Sequence, residues 1–238
     1  MSSAKTLDLQ GLHVQESFAG LDVDHFDAMS ARFDRCAFDN TRIRRACFGS
    51  GIEVTEYVDC SFDGAHISAP SPGVARFERC TFRGSRLVKW LCDSVEFIDC
   101  VFTGRISEVN FTAAVPPMDA RLIGRTTNRF ERNDFSAATL AHVAFRDGID
   151  LLDQRLPTTG SYLVEDGDVV IPKMLALARA WPESRAKDAV VAHLETKSLY
   201  RGVRQRHVLF TAASWEGKAF AGLDGYERLV DLARLAGA

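Results

Sequence analysis

The chain has 238 residues, 46% of them hydrophobic, with 29 basic and 32 acidic residues and a net charge of -3. That is enough apolar material for a real core, and the charge balance excludes both a strongly basic nucleic-acid binder and an acidic disordered tail. No run approaches the roughly 18 uninterrupted apolar residues of a membrane-spanning helix, and the opening residues carry no charged-then-apolar leader, so a cytoplasmic protein that touches no membrane is expected.

Sixteen Phe stand against four Tyr and three Trp. Such a bias suits a repeated slot of one size with no polar handle. A first turn is expected through Phe18, Val23 and Ala28. Five octapeptides then align: 31–38, 55–62, 75–82, 95–102 and 128–135, with starts separated by 24, 20, 20 and 33 residues. The basic period is 20, with about four extra residues after Phe48 and about thirteen between Phe102 and Phe130.

A finer period of five runs inside it. Phe33, Phe38, Ile43 and Phe48 are five apart, as are Phe77, Phe82 and Leu87, and Phe130, Phe135, Leu140 and Phe145. Small residues such as Ala31, Cys36, Cys60, Ala75, Cys80 and Cys100 usually sit two positions earlier. Five fits neither the 3.6 of a helix nor the 2 of a long strand. It fits a chain that turns a corner every five residues and closes a four-sided coil. The large and small residues point inward, and successive coils stack as parallel strands about 4.8 Å apart. Six or so coils make a rod roughly 30 Å long.

The alternation of small residue, polar residue, Phe or Leu and two polar residues resembles the pentapeptide-repeat family over about 18–150. That resemblance implies a right-handed quadrilateral parallel β-helix. It also implies binding rather than catalysis, because some members mimic DNA and bind type II topoisomerases, and some dimerise through a C-terminal helix. The expected architecture is mainly β. A pentapeptide-repeat β-helix occupies 1–152, and a mostly α-helical C-terminal cap or interaction domain occupies 153–238.

Cys60, Cys80 and Cys100 recur every 20 residues and predict a column, with Cys36 one rung earlier. A line of inward thiols is not a tetrahedron, and a disulfide needs paired Cβ vectors that face each other. They read as small buried apolar residues, reduced in the cytosol, and Cys47 and Cys92 read the same way. Outward positions alternate in sign from rung to rung: Arg32, Glu56, Arg76, Glu96, Arg129 at the second place, and Arg35, Asp59, Arg79, Asp99, Arg132 at the fifth. Such a ladder neutralises itself, and 18–150 carries 19 acids and 16 bases. A DNA mimic needs a far stronger field.

Two segments depart from a plain rod. Ala69-Pro70-Ser71-Pro72-Gly73 fills one pentad slot, where proline cannot donate to a ladder, and predicts a rigid corner or small protrusion. The insertion at about 111–127 is expected to loop out whole, since the coil cannot absorb it. Its deletion is expected to leave stability equal or higher. Long loops on rigid scaffolds are frequent binding sites, so Val115, Pro116, Pro117, Met118, Arg121 and Arg125 are the partner-binding candidates.

After Phe145 the register fades. Pro157–Gly160 and Glu165–Asp168 read as turns. A helix is expected over 172–181, opened by Pro172 with Met174, Leu177 and Trp181 on one side. A second begins at Pro182 with Val190, Val191 and Leu194 apolar, and a third runs from Tyr226 to Leu235. His207–Trp215 is read as a strand or the tail of a helix. The run from Lys197 through Tyr200, Arg201 and Arg204 to His207 reads as a solvated face, and nucleic acid is not expected as a partner. No catalytic, metal or cofactor motif is present: Gly-x-Gly phosphate loops, serine elbows and His-Glu-x-x-His are missing. The leading expectation is a non-enzymatic scaffold that binds another protein, with a homodimer through the C-terminal helices as a second contact. The alternative is a gyrase-binding DNA mimic acting in immunity or antibiotic self-resistance.

Overall fold

The computed structural model describes residues 5–200, 205–216 and 221–237, apart from the side chains of Leu199 and Tyr200. The chain builds a parallel β-solenoid of about five turns. An eleven-stranded parallel sheet holds one ten-strand path, with Thr6–Val14 paired beside it on Asp22–Asp34; the path runs from Phe130–Glu131 through Val95–Ile98, Ala75–Glu78 and Thr55–Val58 to Asp22–Asp34. It continues through Arg42–Cys47 and His66–Ser68 to Thr81–Val88, Val101–Ser107 and Asp134–Ala141. A separate wall stacks Leu91–Cys92, Asn110–Thr112 and Ala144–Arg146.

The fivefold register packs as two aromatic columns. Phe18, Phe38, Phe62, Phe82, Phe102 and Phe135 stack ring on ring, with centroids 4.6–4.9 Å apart. Beside them run His13, Phe33, Tyr57, Phe77 and Phe97, again stacked. Rings of the two columns meet edge to face, the second geometry that aromatic quadrupoles favour. The second column breaks at the insertion, where Phe130 meets Phe97 at 73°.

The cysteines form a third column. All six thiols are free. Each Sγ of the column donates to a carbonyl of the ring column on the rung before: Cys36 to His13, Cys60 to Phe33, Cys80 to Tyr57 and Cys100 to Phe77, at 3.3–3.5 Å. Asn133, fully buried, ends the series: its Nδ2 donates to the Phe97 carbonyl at 2.9 Å. Gln154 Oε1 then accepts from the backbone N–H and Nδ2 of Asn133. Burial pushes the Cys80 and Cys92 thiols up. Cys therefore serves as a small apolar filler with a weak donor.

The coil begins one turn earlier than its clear repeats. Thr6–Val14 pairs in parallel with Asp22–Asp34, setting His13 opposite Phe33. That turn breaks the sequence pattern because His13 stands in a Phe slot and Glu16 in the small-residue slot.

The fifth-position residues Arg35, Asp59, Arg79, Asp99 and Arg132 all adopt left-handed backbone, with φ between 50° and 55°. Each turns a corner that glycine would turn with less strain. Their charges make discrete pairs in place of the expected ladder. Arg79 grips Asp59 and Arg132 grips Asp99 through two hydrogen bonds each, and Arg35 turns to Asp34. The Arg79 and Arg132 guanidiniums hold the Asp59 and Asp99 carboxyls below their usual range. At the second position Arg32, Glu56, Arg76 and Glu96 do form a continuous chain, but Arg129 turns to Glu131.

The proline corner stays in the coil. Pro72 is buried, its carbonyl accepts from Phe48 N–H at 2.7 Å, and Gly49 and Gly73 form a parallel bridge. A Cβ on Gly73 would meet the Gly49 carbonyl oxygen at 2.2 Å, and φ there is +78°, so both the close approach and the turn require glycine.

Among the described residues there are four α-helices, α1 (Pro117–Ile123), α2 (Gly167–Arg179), α3 (Arg185–Tyr200) and α4 (Gly225–Gly237). The last three lie past the coil. α2 starts earlier than the predicted span: Glu165–Asp168 is its entry, Pro172 lies inside it on an exposed face, and Gly167, Ile171, Met174 and Ala178 are its buried residues, with Leu177 41% exposed. α3 starts three residues after Pro182. α4 buries Leu229, Val230, Leu232, Ala233 and Ala236.

His207–Trp215 resolves into a strand, Val208–Thr211, followed by a 3-10 turn, Ala212–Trp215. The strand pairs antiparallel with Ser161–Val164. Its period of two divides the chain's cores: Leu209 joins the core of the coil, while Val208 and Phe210 join a second core with α2, α3 and α4. A helical cap was expected on the last coil. Leu163 and Leu209 of this sheet are what pack against the core of the coil. Apolar solenoid ends need such cover.

Candidate binding face

The insertion is shorter than its predicted bounds. Phe111 and Ala113 stay in the coil, both buried. The excursion is closed by an antiparallel bridge between Ala114 and Thr127, and by Val115 N–H donating to the Thr126 carbonyl. It carries α1, which starts after Pro116 and ends at Gly124 in left-handed backbone.

The six candidates divide. Pro117, Met118 and Arg121 are exposed and Pro116 is partly so. Val115 is buried. The Arg125 side chain is only 16% exposed and turns back to the rod. Its Nη2 donates to the Ser94 carbonyl at 3.1 Å, and it lies 3.6 Å from Glu96, whose side chain is 1% exposed. Asp119 accepts from the Ser94 hydroxyl, and Asn128 Nδ2 donates to the Asp93 and Thr112 carbonyls. The loop is therefore bolted down, and its excision is no longer expected to be neutral. In an Arg125→Met variant Glu96 would keep Arg76 at 2.8 Å but lose its second cation. Arg125→Met is expected to cost about 1–3 kcal/mol, the cost of leaving a buried group short of a partner, read as a lower urea midpoint at unchanged slope.

Three adjoining recesses share Pro70. One, of about 500 Å³, lies among Asp8, Asp27, Arg45 and Cys47. A second, of about 390 Å³, lies among Lys89, Leu91, Glu108 and Asn110. The third, of about 180 Å³, runs from Pro70–Gly73 across Leu91 and Ser94 to Pro116 and Asp119. The proline corner and the insertion, separate in sequence, are thus opposite walls of one depression. Leu91, 46% exposed, lines two of these recesses, and α1, whose Asp119 lines the third, carries the exposed Met118 (79%) and Leu122 (60%). Met118 and Leu122 are four apart, on one face of α1.

Of the basic run, Arg201–Arg204 and the side chain of Tyr200 lie outside the described residues. Lys197 and His207 line a small recess, while Arg206 stays exposed beside Asp166. The apolar stripe of α4 is already covered within the second core. Among the described residues no helix is long and apolar enough to cross a membrane. Sequence reasoning located the corner and the insertion but missed Leu91. Its signal was an apolar residue at an outward place, next to the inward Trp90 and Cys92.

The chain matches no model of a known protein family, and no curated protein is similar to it in sequence.

Proposed function

We propose that the protein is a non-enzymatic scaffold of the pentapeptide-repeat type, a right-handed quadrilateral coil, that captures another protein on the face centred on Pro70. The observation that carries this reading is the convergence of the two departures from the repeat on one depression, lined by Leu91, with exposed Met118 and Leu122 on the short helix of the insertion. Rigid prolines on both walls lower the ordering cost of association. Exposed apolar residues gathered in one place mark contact surfaces more often than scattered ones do. The test is a binding comparison. Leu91→Glu with Met118→Glu is expected to lose a partner protein that both the wild type and Arg83→Glu, elsewhere on the coil, retain. Equal retention by all three sinks the reading.

The gyrase-mimic alternative finds no support in the charge arrangement. The Arg79–Asp59 and Arg132–Asp99 pairs cancel locally. The purified protein is expected not to inhibit gyrase supercoiling. Inhibition at low micromolar concentration that disappears at raised salt would reverse this judgement.

A further inference from the structure

One wall of the coil carries a column of basic side chains. Arg42 lies opposite His66, His66 opposite Arg86 and Arg86 opposite Arg105 on successive parallel strands. The three arginines are exposed and His66 is partly so. Successive strands stand about 4.8 Å apart, so the column spans about 14 Å from Arg42 to Arg105. Two residues before His66 and Arg86 the chain turns its corner at Gly64 and Gly84, both in left-handed backbone. A Cβ on Gly84 would meet nothing within 4 Å, so open space lies beside the arginines.

Most arginines of the coil are held by carboxylates. The Arg42 and Arg86 side chains make no hydrogen bond or ion pair among the described residues, and the remaining residues include no Asp or Glu. Acids beside the column are committed elsewhere. Asp22, opposite Arg42, is held by Arg44 at 2.6 Å, and Arg42 acts on it only as a weaker charge. Asp39 accepts from the Asp63 backbone N–H, and Asp63 accepts from the backbone N–H of Arg83. His66 senses the field: burial, then the charges of Arg86 and Arg42, hold its imidazole below the usual range. One carboxylate does reach the column, at its far end. Glu216, its side chain 62% exposed, comes within 3.4 Å of both Nη atoms of Arg105.

We propose that the Arg42–His66–Arg86–Arg105 column is a track for an extended acidic segment of a partner protein, with carboxylates at alternate positions. In an extended chain, residues two apart point the same way and lie about 6.6–6.8 Å from each other. Three such carboxylates span about 13 Å, close to the length of the column. Glu216 makes the same contact from within the chain. A column one residue wide suits a single strand of polypeptide. Duplex nucleic acid is held through about 6–10 phosphate contacts, more than three arginines supply. Complementary charge of this kind selects the partner and speeds its encounter. The track shares no residue with the recesses around Pro70, so it stands or falls apart from that face.

The probe is a fluorescein-labelled peptide of alternating Glu and Ser with three Glu, followed by anisotropy at low salt. Its counterpart carries Gln for Glu, and a short oligothymidylate is the competing polyanion. The expected result is saturable binding of the Glu peptide alone, weakened by added salt. Arg86→Glu is expected to weaken it about tenfold, since an attraction is lost and a repulsion gained. Arg234→Glu on α4, an equal change of net charge, should stay within about twofold of the wild type. No binding at millimolar peptide overturns the proposal, as does equal binding of the Gln peptide. Equal weakening by Arg86→Glu and Arg234→Glu reduces the effect to net charge and overturns it too. Tighter binding of the oligothymidylate assigns the track to nucleic acid instead. Should Arg86→Glu not fold, Arg42→Glu takes its place, and the Gln peptide on the wild type decides independently.

Discussion

Phe82→Ala is expected to destabilise the protein by about 3–5 kcal/mol. Its ring is fully buried, lies 4.9 Å from both Phe62 and Phe102 in nearly parallel stacks, and meets Phe77 edge to face. Rungs above and below fix the backbone through parallel hydrogen bonds, so the cavity cannot collapse, and the loss belongs at the upper end of the range. Urea unfolding of the variant measures it. A loss under about 1 kcal/mol would mean that the column relaxes as a liquid does and that its register adds little. Phe18→Ala, at the end of the same column and only partly buried, serves as the internal comparison and is expected to cost less.

Acidification is expected to weaken the protein before its carboxylates titrate. His193 is held near 3 by burial, then by Lys197 and His142. Its ring packs against Phe210 and Trp215. A depressed histidine binds its proton more weakly in the native state than in the unfolded chain. Stability is therefore fully present above about 6.5 and is lost as pH falls from there toward 3. By pH 4 the loss from this group is about 3 kcal/mol. The Asp59 and Asp99 pairs add their own loss only lower, below the ordinary aspartate range, because their pKa values are depressed. His193→Leu should flatten the upper part of this profile and leave the lower part unchanged. The measurement is the urea midpoint against pH from 8 to 3. An unaltered slope between 6.5 and 4 in the variant rules out His193 as the source.

The coil was legible because a solenoid makes its distant contacts at one constant sequence interval. Phe38, Phe62, Phe82 and Phe102 could be stacked by counting alone. The Thr6–Val14 strand showed no repeat of its own because His13 occupies a phenylalanine slot, stacked on Phe33 at 4.8 Å, and a pattern search for apolar residues passes over it. The corners escaped because Arg35, Asp59 and Arg79 carry no glycine to announce left-handed backbone. Asn133 stands at the next place in the cysteine series, and its amide makes the same contact as the thiols through a stronger donor. Past Phe145 no constant interval exists, and placement depends on side-chain chemistry that periodicity does not report. Gln205 and His207 satisfy the backbone of 148–151, which has no further rung to pair with. Pro172 misled for a local reason: it favours a first turn, but its exposed face in α2 tolerates the missing N–H. The candidate face was half legible. The corner and the insertion each broke the count, but only the closed coil brings Pro70 and Pro116 to the same recess.

The Ala114–Thr127 bridge has a consequence for how the chain reaches this shape. Most rungs close over a sequence gap of 20 residues, and the rung that spans the excursion closes over 33. Closure entropy grows only with the logarithm of the gap, so this step is dearer by only about 0.4 kcal/mol. The edge it copies, Val95–Ile98, is already finished, but Phe130–Glu131 reaches that edge only once residues 114–127 have folded back on themselves. The coil can zip from its amino-terminal turns up to Val101–Ser107 with each new strand laid on a finished one. It should then pause, and resume only when Phe130 and Phe135 find the ends of the two ring columns. Synthesis from the ribosome delivers the rungs in that same order, which keeps the growing edge of the coil exposed to solvent for longest at the excursion.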